Sequence, residues 1–340
     1  MRFARVMAVL AAWPVLGAYL DGWAHIHIPQ LETFFTPWHA VLYSGFLAVA
    51  AFTVATSWRN RAIGQPWSRA LPSGYEGTFL GIVIFAVGGI GDMLWHVLFG
   101  IETDFAALLS PTHLALAVGM GFIVAGPLRS TWRQGHAPGA PPGLTEQWPA
   151  WVSLGFLLAV FAFMTQYAHP FGFLWAAEAA RPPVQAGERG IFLVQATGIL
   201  GILLQTGIMM GLLLATLQRQ ALPPGILTPI LTVNTVVLTL MRQRLLVSGP
   251  YLLIGIAVLG GIVGDLLLWW LRPSRERPQA LRVFVFAMPA GLYAVYFLAL
   301  MATTGIWWSV HLWTGAIVLS GLTGWLLSHL AIPSGPAGRG

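Results

Sequence analysis

Long apolar runs recur along almost the whole chain, each near the roughly 20 residues that an α-helix needs to cross a lipid bilayer. Of the 340 residues, 57% are apolar and 8% are charged, whereas a soluble domain carries about 25% charged residues. This pattern excludes an ordinary soluble domain. It predicts an all-α fold, a polytopic membrane helix bundle with about ten transmembrane helices and the lipid bilayer as its first partner.

The predicted spans have boundaries good to a few residues. They are 4–24, 37–58, 77–100, 111–131, 149–168, 190–217, 225–243, 250–271, 282–303 and 307–329. Residues 1–20 also fit a signal peptide, with Arg2 and Arg5 before an apolar stretch. We interpret them as the first span, because the end of the stretch carries a motif that is repeated at the end of a later span.

The basic residues are all arginine and lie mainly in alternate loops between the predicted spans. With the N-terminus in the cytoplasm, every arginine falls inside except Arg181, Arg189, Arg242 and Arg244. The positive-inside rule therefore predicts a cytoplasmic N-terminus in a prokaryotic-type cytoplasmic membrane. Because the arginines follow the loops and form no basic face, the net charge of +6 predicts no nucleic-acid partner.

A Pro- and Gly-rich segment interrupts the series of spans after the fourth. It predicts four parts: a four-helix unit 1–133, a cytoplasmic linker 134–148, a six-helix unit 149–331 and a tail 332–340. Three glycine pairs at GxxxG spacing predict close helix contacts, which are structural. They are Gly77/Gly81, Gly207/Gly211 and Gly260/Gly264.

A set of polar motifs occurs twice, in the same order, within the first four spans. The first copy reads Asp21-x3-His25, Leu31-Glu32-Thr33-x-Phe35 and Thr36-Pro37-x-His39. The second copy reads Asp92-x3-His96, Ile101-Glu102-Thr103-x-Phe105 and Ser110-Pro111-x-His113. We interpret this as a parallel duplication of a helix hairpin, because chance agreement at so many polar positions is rare in so apolar a chain.

The spacing predicts the local geometry of each copy. Asp and His at i and i+4 share one helix face, in the last turn of a span. Ser/Thr-Pro predicts the start of the next helix, with the hydroxyl as N-cap and Pro at the first helical position. His39 and His113 then lie in a first turn, where the helix dipole disfavours imidazolium and leaves the neutral, metal-binding ring.

Each hairpin therefore offers one carboxylate and two imidazoles at the extracytoplasmic face, and buried ionisable groups in a membrane mark function. We predict a metal site, as two ions or one dinuclear centre, with these ligands: Asp21, His25, His39, Asp92, His96 and His113. Copper is favoured over iron or zinc by ligand type and outer location. Haem is disfavoured because the carboxylates would have no role. Two alternatives stay open: structural Asp–His hydrogen bonds within each hairpin, and a proton or ion pathway.

Several further residues are candidates on weaker grounds. Glu32 and Glu102 fit a general base, bridging ligands, hydrogen-bond partners of the ligating His, or simple loop caps. The additional ligand candidates are His27, Asp104, His169 and His311. Asp265 follows a glycine-rich stretch like that before Asp92 and fits a relic of the motif, a buried polar anchor or a proton-path residue, of which the anchor is favoured.

The Asp-x3-His…His pattern resembles the copper-site motif of the C subunit of particulate methane and ammonia monooxygenases. The matching residues are Asp21, His25 and His39, and again Asp92, His96 and His113. In both copies the gap before the second His is longer than in that family, and that subunit has fewer spans. The resemblance implies a membrane copper site and oxidation of a small apolar molecule.

Three functions follow as hypotheses. The first is a metal-dependent membrane oxidoreductase or its metal-holding subunit. In the second form, other membrane subunits are its partners. The second is a transporter for a metal ion or a proton-coupled solute. The third is a protein that delivers metal to a partner complex during assembly. The chain contains no Cys, which excludes thiolate metal sites and disulfides.

Overall fold

The computed structural model describes residues 2–28, 33–100, 105–134, 144–242 and 249–331. In these ranges the chain forms twelve α-helices and short 3₁₀ turns, and no β-structure beyond two isolated bridges. The helices are α1 Arg2–His27, α2 Pro37–Ala62, α3 Glu76–Phe99, α4 Phe105–Leu109, α5 Pro111–Val124, α6 Gly126–Gln134, α7 Leu144–Met164, α8 Gly187–Leu217, α9 Leu227–Arg242, α10 Gly249–Leu271, α11 Pro278–Thr303 and α12 Val310–Ala331.

Nine helical segments of the described chain are long and apolar enough to cross a membrane, with α5 and α6 forming one of them. The one predicted span not among these nine, 225–243, coincides with α9, which has 16 residues. At about 1.5 Å per residue, α9 is roughly 24 Å long, shorter than the hydrocarbon core of about 30 Å. The prediction of an all-α membrane helix bundle is confirmed, and the protein is an integral membrane protein.

The chain divides into two compact units. The N-terminal unit contains α1 to α7 together with 240–242, and the C-terminal unit contains 166–239 and the helices from α10 onward. Thus α7 packs with the first helices of the chain. The predicted linker 134–148 lies mostly outside the described residues, as does the tail 332–340, so both stay predictions.

In the N-terminal unit, glycines bring α1 and α2 into backbone contact. A Cβ atom at Gly17 would lie 2.7 Å from the Cα of Leu42, and one at Gly45 would lie 2.6 Å from the backbone nitrogen of Pro14. Small residues allow membrane helices to approach this closely. The close approach brings the end of α1, which carries Asp21, beside the start of α2.

Helices α3 and α5 meet in the same way. A Cβ atom at Gly88 would lie 3.2 Å from the backbone nitrogen of Leu116, and one at Gly119 would lie 2.7 Å from that of Phe85. Counted from the Asp and the second His of each motif copy, Gly88, Leu116 and Gly119 correspond to Gly17, Leu42 and Gly45. The two helix pairs therefore hold their polar ends together through equivalent contacts.

Helix α7 is attached to the N-terminal unit where α5 ends. Pro127 lacks a backbone N–H and so interrupts the helical hydrogen bonds between α5 and α6. The hydroxyl of Ser153, on α7, donates to the carbonyl of Val124 and accepts from the N–H of Leu128. This side chain satisfies backbone groups that the break would otherwise leave unpaired within the bilayer.

The C-terminal unit has α11 as its buried helix, with core residues that include Phe284, Met288 and Phe297. Asp265 on α10 accepts hydrogen bonds from the backbone N–H groups of Leu227 and Thr228, both at 3.0 Å. It therefore caps the N-terminus of α9. This contact agrees with the interpretation of Asp265 as a polar anchor.

The predicted glycine pairs behave differently from one another. A Cβ atom at Gly81 would lie 2.6 Å from the side chain of Phe122, and one at Gly260 would overlap the side chain of Leu292. A Cβ atom at Gly207 or Gly211 would meet no described atom within 4 Å. Close helix contact therefore occurs at the first and third pairs, while a side chain at either glycine of the second pair would meet no described atom.

Candidate metal centre

The first motif copy brings three potential ligands together, which we call the first set: Asp21, His25 and His39. The Nε2 atom of His25 lies 3.6 Å from Asp21 Oδ2, and that of His39 lies 3.4 Å from Asp21 Oδ1. His25 and Asp21 are one turn apart on α1, whereas His39 comes from the first turn of α2. One ligand atom of each residue lies within 4.8 Å of the others, close enough to hold one metal ion.

The second motif copy forms the same arrangement, the second set: Asp92, His96 and His113. The Nε2 atoms of His96 and His113 lie 3.6 Å and 3.2 Å from Asp92 Oδ1. Here too the ligand atoms lie within 4.8 Å of one another. The six residues predicted as the main ligands therefore form two three-residue groups.

The helix starts match the prediction from Ser/Thr-Pro. Pro37 and Pro111 occupy the first helical position of α2 and α5. The hydroxyl of Thr36 accepts from the N–H of His39 at 3.1 Å, and that of Ser110 accepts from the N–H of His113 at 3.3 Å. These caps fix the two histidines at the ends of their helices, facing the carboxylates.

Backbone carbonyls define which nitrogen of the histidine rings faces each carboxylate. His39 Nδ1 lies 2.6 Å from the carbonyl oxygen of Phe34, and His113 Nδ1 lies 2.6 Å from that of Ala107. His96 Nδ1 lies 3.3 Å from the carbonyl oxygen of Gly100. Because a carbonyl only accepts, each Nδ1 carries the hydrogen. In the neutral ring, Nε2 then has a free lone pair, the form that binds metal.

This tautomer leaves two acceptors opposite each other. The Nε2 lone pairs of His39 and His113 face carboxylate oxygens, which also only accept, at 3.4 Å and 3.2 Å. The contact is favourable only with a positive charge between or on these atoms: a metal ion, or a second proton on the ring. An oxygen and two imidazole nitrogens suit copper, iron or zinc.

Three buried atoms of the two sets make no hydrogen bond to any described residue: Asp21 Oδ1, His25 Nδ1 and His96 Nε2. Buried polar atoms are normally paired, and an unpaired one in a native structure suggests an ion or a water. Two of the three, Asp21 Oδ1 and His96 Nε2, are the atoms that face the other ligands. The residues therefore fit a bound metal ion.

The two sets lie side by side within the N-terminal unit. The ring centroids of His39 and His96 are 6.2 Å apart, with an angle of 33° between the rings. The ring of Phe34 lies 4.8 Å from that of His39 and 6.1 Å from that of His96. One histidine of each set therefore lies beside one of the other set, and the ring of Phe34 packs against both.

The carboxylates of the two sets have different surroundings. Asp92 is 2% exposed and accepts hydrogen bonds from the Thr112 hydroxyl, at 3.1 Å, and from the Tyr43 hydroxyl, at 3.4 Å. Asp21 is 13% exposed and has no such hydroxyl partner among the described residues. Sequence reasoning missed both hydroxyls, because neither belongs to the repeated motif.

Of the remaining candidates, those among the described residues do not join the two sets. Glu32, Glu102 and Asp104 lie outside the described residues. His27 stacks on Trp23, with ring centroids 5.2 Å apart, and its Nδ1 lies 2.9 Å from the carbonyl oxygen of the same Trp. The ring of His27 is therefore engaged with Trp23 and does not belong to the first set.

His169 and His311 belong to the C-terminal unit. The N–H of Phe171 donates to His169 Nδ1 at 3.1 Å, and burial of the ring lowers the pKa of His169 to about 3. His311 is exposed in the first turn of α12. Neither residue forms a group of three metal-ligating side chains with other described residues.

No protein-family model, curated protein or solved structure matches the chain. The fold and the site define an integral membrane protein with two groups of Asp and His residues able to hold metal ions.

Proposed function

We propose that this protein binds metal ions at the first and second sets, with copper as the favoured metal, as a membrane oxidoreductase or its metal-holding subunit. One observation carries the proposal. In each set the Nε2 lone pair of a histidine is fixed opposite a carboxylate oxygen by a backbone carbonyl on the other side of the ring. Metal-binding histidines are typically oriented in this way by such carbonyls.

Copper is favoured because imidazole-rich sites bind it more tightly than the other divalent first-row metals. A bound copper ion would supply one-electron redox chemistry. The residues of the chain would hold the ion, keep the imidazoles neutral and shield the site with Phe34. An electron paramagnetic resonance signal from Cu(II) with nitrogen hyperfine structure supports the oxidoreductase, and protein that retains only zinc contradicts it.

Elemental analysis of purified protein tests metal binding directly. Wild-type protein is expected to retain metal through dialysis, and the double variant His39→Ala plus His113→Ala is expected to lose it, because each set loses the histidine that its carbonyl orients. The matched control is His27→Ala plus His311→Ala, which removes two histidines outside both sets. Equal metal content in the wild type and the first double variant contradicts the proposal and supports protonated Asp–His pairs instead.

The transporter alternative is supported less well. A transporter needs polar groups that carry the ion towards the cytoplasmic face, and Asp265 was the candidate for that role. Its carboxylate instead caps the N-terminus of α9. A delivery protein would use the same ligands, and differs in passing its metal to a partner. Rapid loss of bound copper to an added acceptor protein favours delivery, whereas slow loss favours a resident cofactor.

We also propose that both sets face the extracytoplasmic side, which the arginine distribution supports. Because the chain has no Cys, single cysteines give a clean accessibility test. Phe35, beside the first set, is 82% exposed, and Ile63, at the other end of α2, is 71% exposed. A membrane-impermeant maleimide is expected to label Phe35→Cys in intact cells and Ile63→Cys only after lysis. The reverse pattern contradicts the orientation.

A further inference from the structure

Tyr43 links the helix of the first set to the carboxylate of the second. It lies on α2, one turn after His39, and its ring packs against Phe34 at 5.7 Å and Phe85 at 6.0 Å between centroids. Its position depends on a glycine of α3, since a Cβ atom at Gly89 would lie 2.8 Å from the tyrosine ring. The ring therefore crosses α3 at a residue small enough to admit it.

The two oxygens of Asp92 make different contacts. Oδ2 accepts the hydrogen bond of the Tyr43 hydroxyl at 3.4 Å. Oδ1 faces the Nε2 atoms of His96 and His113 at 3.6 Å and 3.2 Å and also accepts the hydrogen bond of the Thr112 hydroxyl at 3.1 Å. The tyrosine thus holds one oxygen of Asp92, and the other oxygen makes the close contacts with the imidazoles.

We propose that Tyr43 is a positioning residue of the second set, supplied by the neighbouring hairpin, and that it holds Asp92 as a ligand through Oδ1 alone. This inference rests on the proposed metal binding. Partners that orient a metal ligand typically change metal affinity about 10- to 100-fold. The affinity of the second set therefore depends on the placement of α2, a helix that contributes no ligand to it.

The test reads each set separately with Cu(II) as the probe. Asp21→Ala plus His25→Ala removes the first set and leaves the second; His96→Ala plus His113→Ala does the opposite and keeps Asp92 beside Tyr43. Adding Tyr43→Phe to the first background is expected to weaken Cu(II) binding about 10- to 100-fold in a chelator competition. Adding it to the second background is expected to leave Cu(II) binding unchanged.

Tyr19→Phe is the matched control. Tyr19 is also buried in the N-terminal unit, and its hydroxyl donates to the carbonyl of Ala159 at 2.8 Å, away from both sets. The control variant loses an equivalent hydrogen bond and is expected to keep wild-type Cu(II) affinity. A shift of the Cu(II) hyperfine splitting in the Tyr43→Phe protein, absent in Tyr19→Phe, is the signature of a changed ligand orientation, which a packing defect alone does not produce.

The outcomes separate the two proposals. Wild-type protein that binds no Cu(II) overturns the proposed function. Wild-type protein that binds Cu(II), with Tyr43→Phe indistinguishable from it in the second set, overturns the role of Tyr43 alone. Gly89→Ala provides a second route should Tyr43→Phe fail to fold, since the added methyl group displaces the tyrosine ring. It is expected to reduce Cu(II) affinity in the second set only.

Discussion

The first and second sets share residue types and spacing but not surroundings. In both, an Asp lies one turn before a His and faces a second His at the start of the following helix. Asp92 is buried and held by two hydroxyl groups, whereas Asp21 is more exposed and lacks them among the described residues. The motif determines which ligands meet, and residues outside it determine how firmly the carboxylate is held.

The sequence positions explain this difference. Thr112 precedes His113 directly, and the corresponding residue before His39 is Trp38, which cannot donate from a hydroxyl. Tyr43 follows His39 by four residues, and Ala117 stands at the same distance from His113. The second set is therefore the more preorganised of the two, and its partners come from both hairpins.

The largest expected effect is on bound metal, and it tests whether the two sets are independent sites. His39→Ala and His113→Ala, made singly, are each expected to remove about half of the bound metal, as for independent sites that do not share an ion. The affinity of the damaged set is expected to fall by more than the ~100-fold cost of losing an orienting partner. Elemental analysis with chelator competition measures both quantities. Loss of all metal from either single variant shows one shared centre instead.

The next effect concerns stability without metal. Asp92→Ala leaves the hydroxyls of Tyr43 and Thr112 without their acceptor, and is expected to lower the free energy of unfolding by about 2 kcal/mol. Asp21→Ala leaves no described hydroxyl unpaired and is expected to cost less than about 1 kcal/mol. Thermal unfolding of chelator-treated protein in detergent checks the ranking. Equal losses would mean that the two carboxylates are held alike.

Helix contact should matter equally in the two hairpins. Gly45→Ala and Gly119→Ala place a methyl group within 2.7 Å of the backbone of Pro14 and Phe85 respectively, and each is expected to cost about 1–3 kcal/mol through overpacking. Gly207→Ala, where a Cβ meets no described atom within 4 Å, is the control. It is expected to be neutral or stabilising by up to about 1 kcal/mol, because alanine favours helix. Destabilisation by Gly207→Ala would contradict overpacking as the cause of the losses at Gly45 and Gly119.

The smallest effect comes from a histidine outside both sets. Burial lowers the pKa of His169 to about 3. The ring therefore stays neutral in the folded protein, while in the unfolded chain it takes up a proton near pH 6.5. Stability contributed by the neutral ring is therefore complete above pH 6.5 and is lost as the pH falls towards 3. At pH 6 the loss is less than about 1 kcal/mol. Comparison of unfolding between pH 7 and 6 in wild type and His169→Gln measures it; an identical pH dependence contradicts the assignment.

Local features of the site were predictable from the sequence, and long-range ones were not. The i, i+4 spacing of Asp21 and His25, and the Thr-Pro before His39, indicate helix faces and helix starts directly. The approach of His39 to His96, and of Tyr43 to Asp92, depends on how two hairpins pack, and no short motif encodes that packing. The only sequence trace of the tyrosine contact is Gly89, whose missing side chain leaves space for the ring.

The fold shows the same division. Apolar length identified the membrane helices, because the bilayer imposes it on each helix alone. It gave no indication that α9 would be short, or that α7 would pack with the first helices through Ser153. Those features follow from tertiary contacts, such as the capping of α9 by Asp265 and the hydrogen bonds of Ser153 at the Pro127 break.

Phe34 connects the two sets through both its backbone and its side chain. Its carbonyl fixes the ring of His39, and its own ring lies against the imidazoles of both sets. Displacing this one residue removes both the carbonyl that orients His39 and the ring that lies against His39 and His96. Under the proposed metal binding, a substitution at Phe34 is therefore expected to disturb both sets at once, although this residue supplies no ligand.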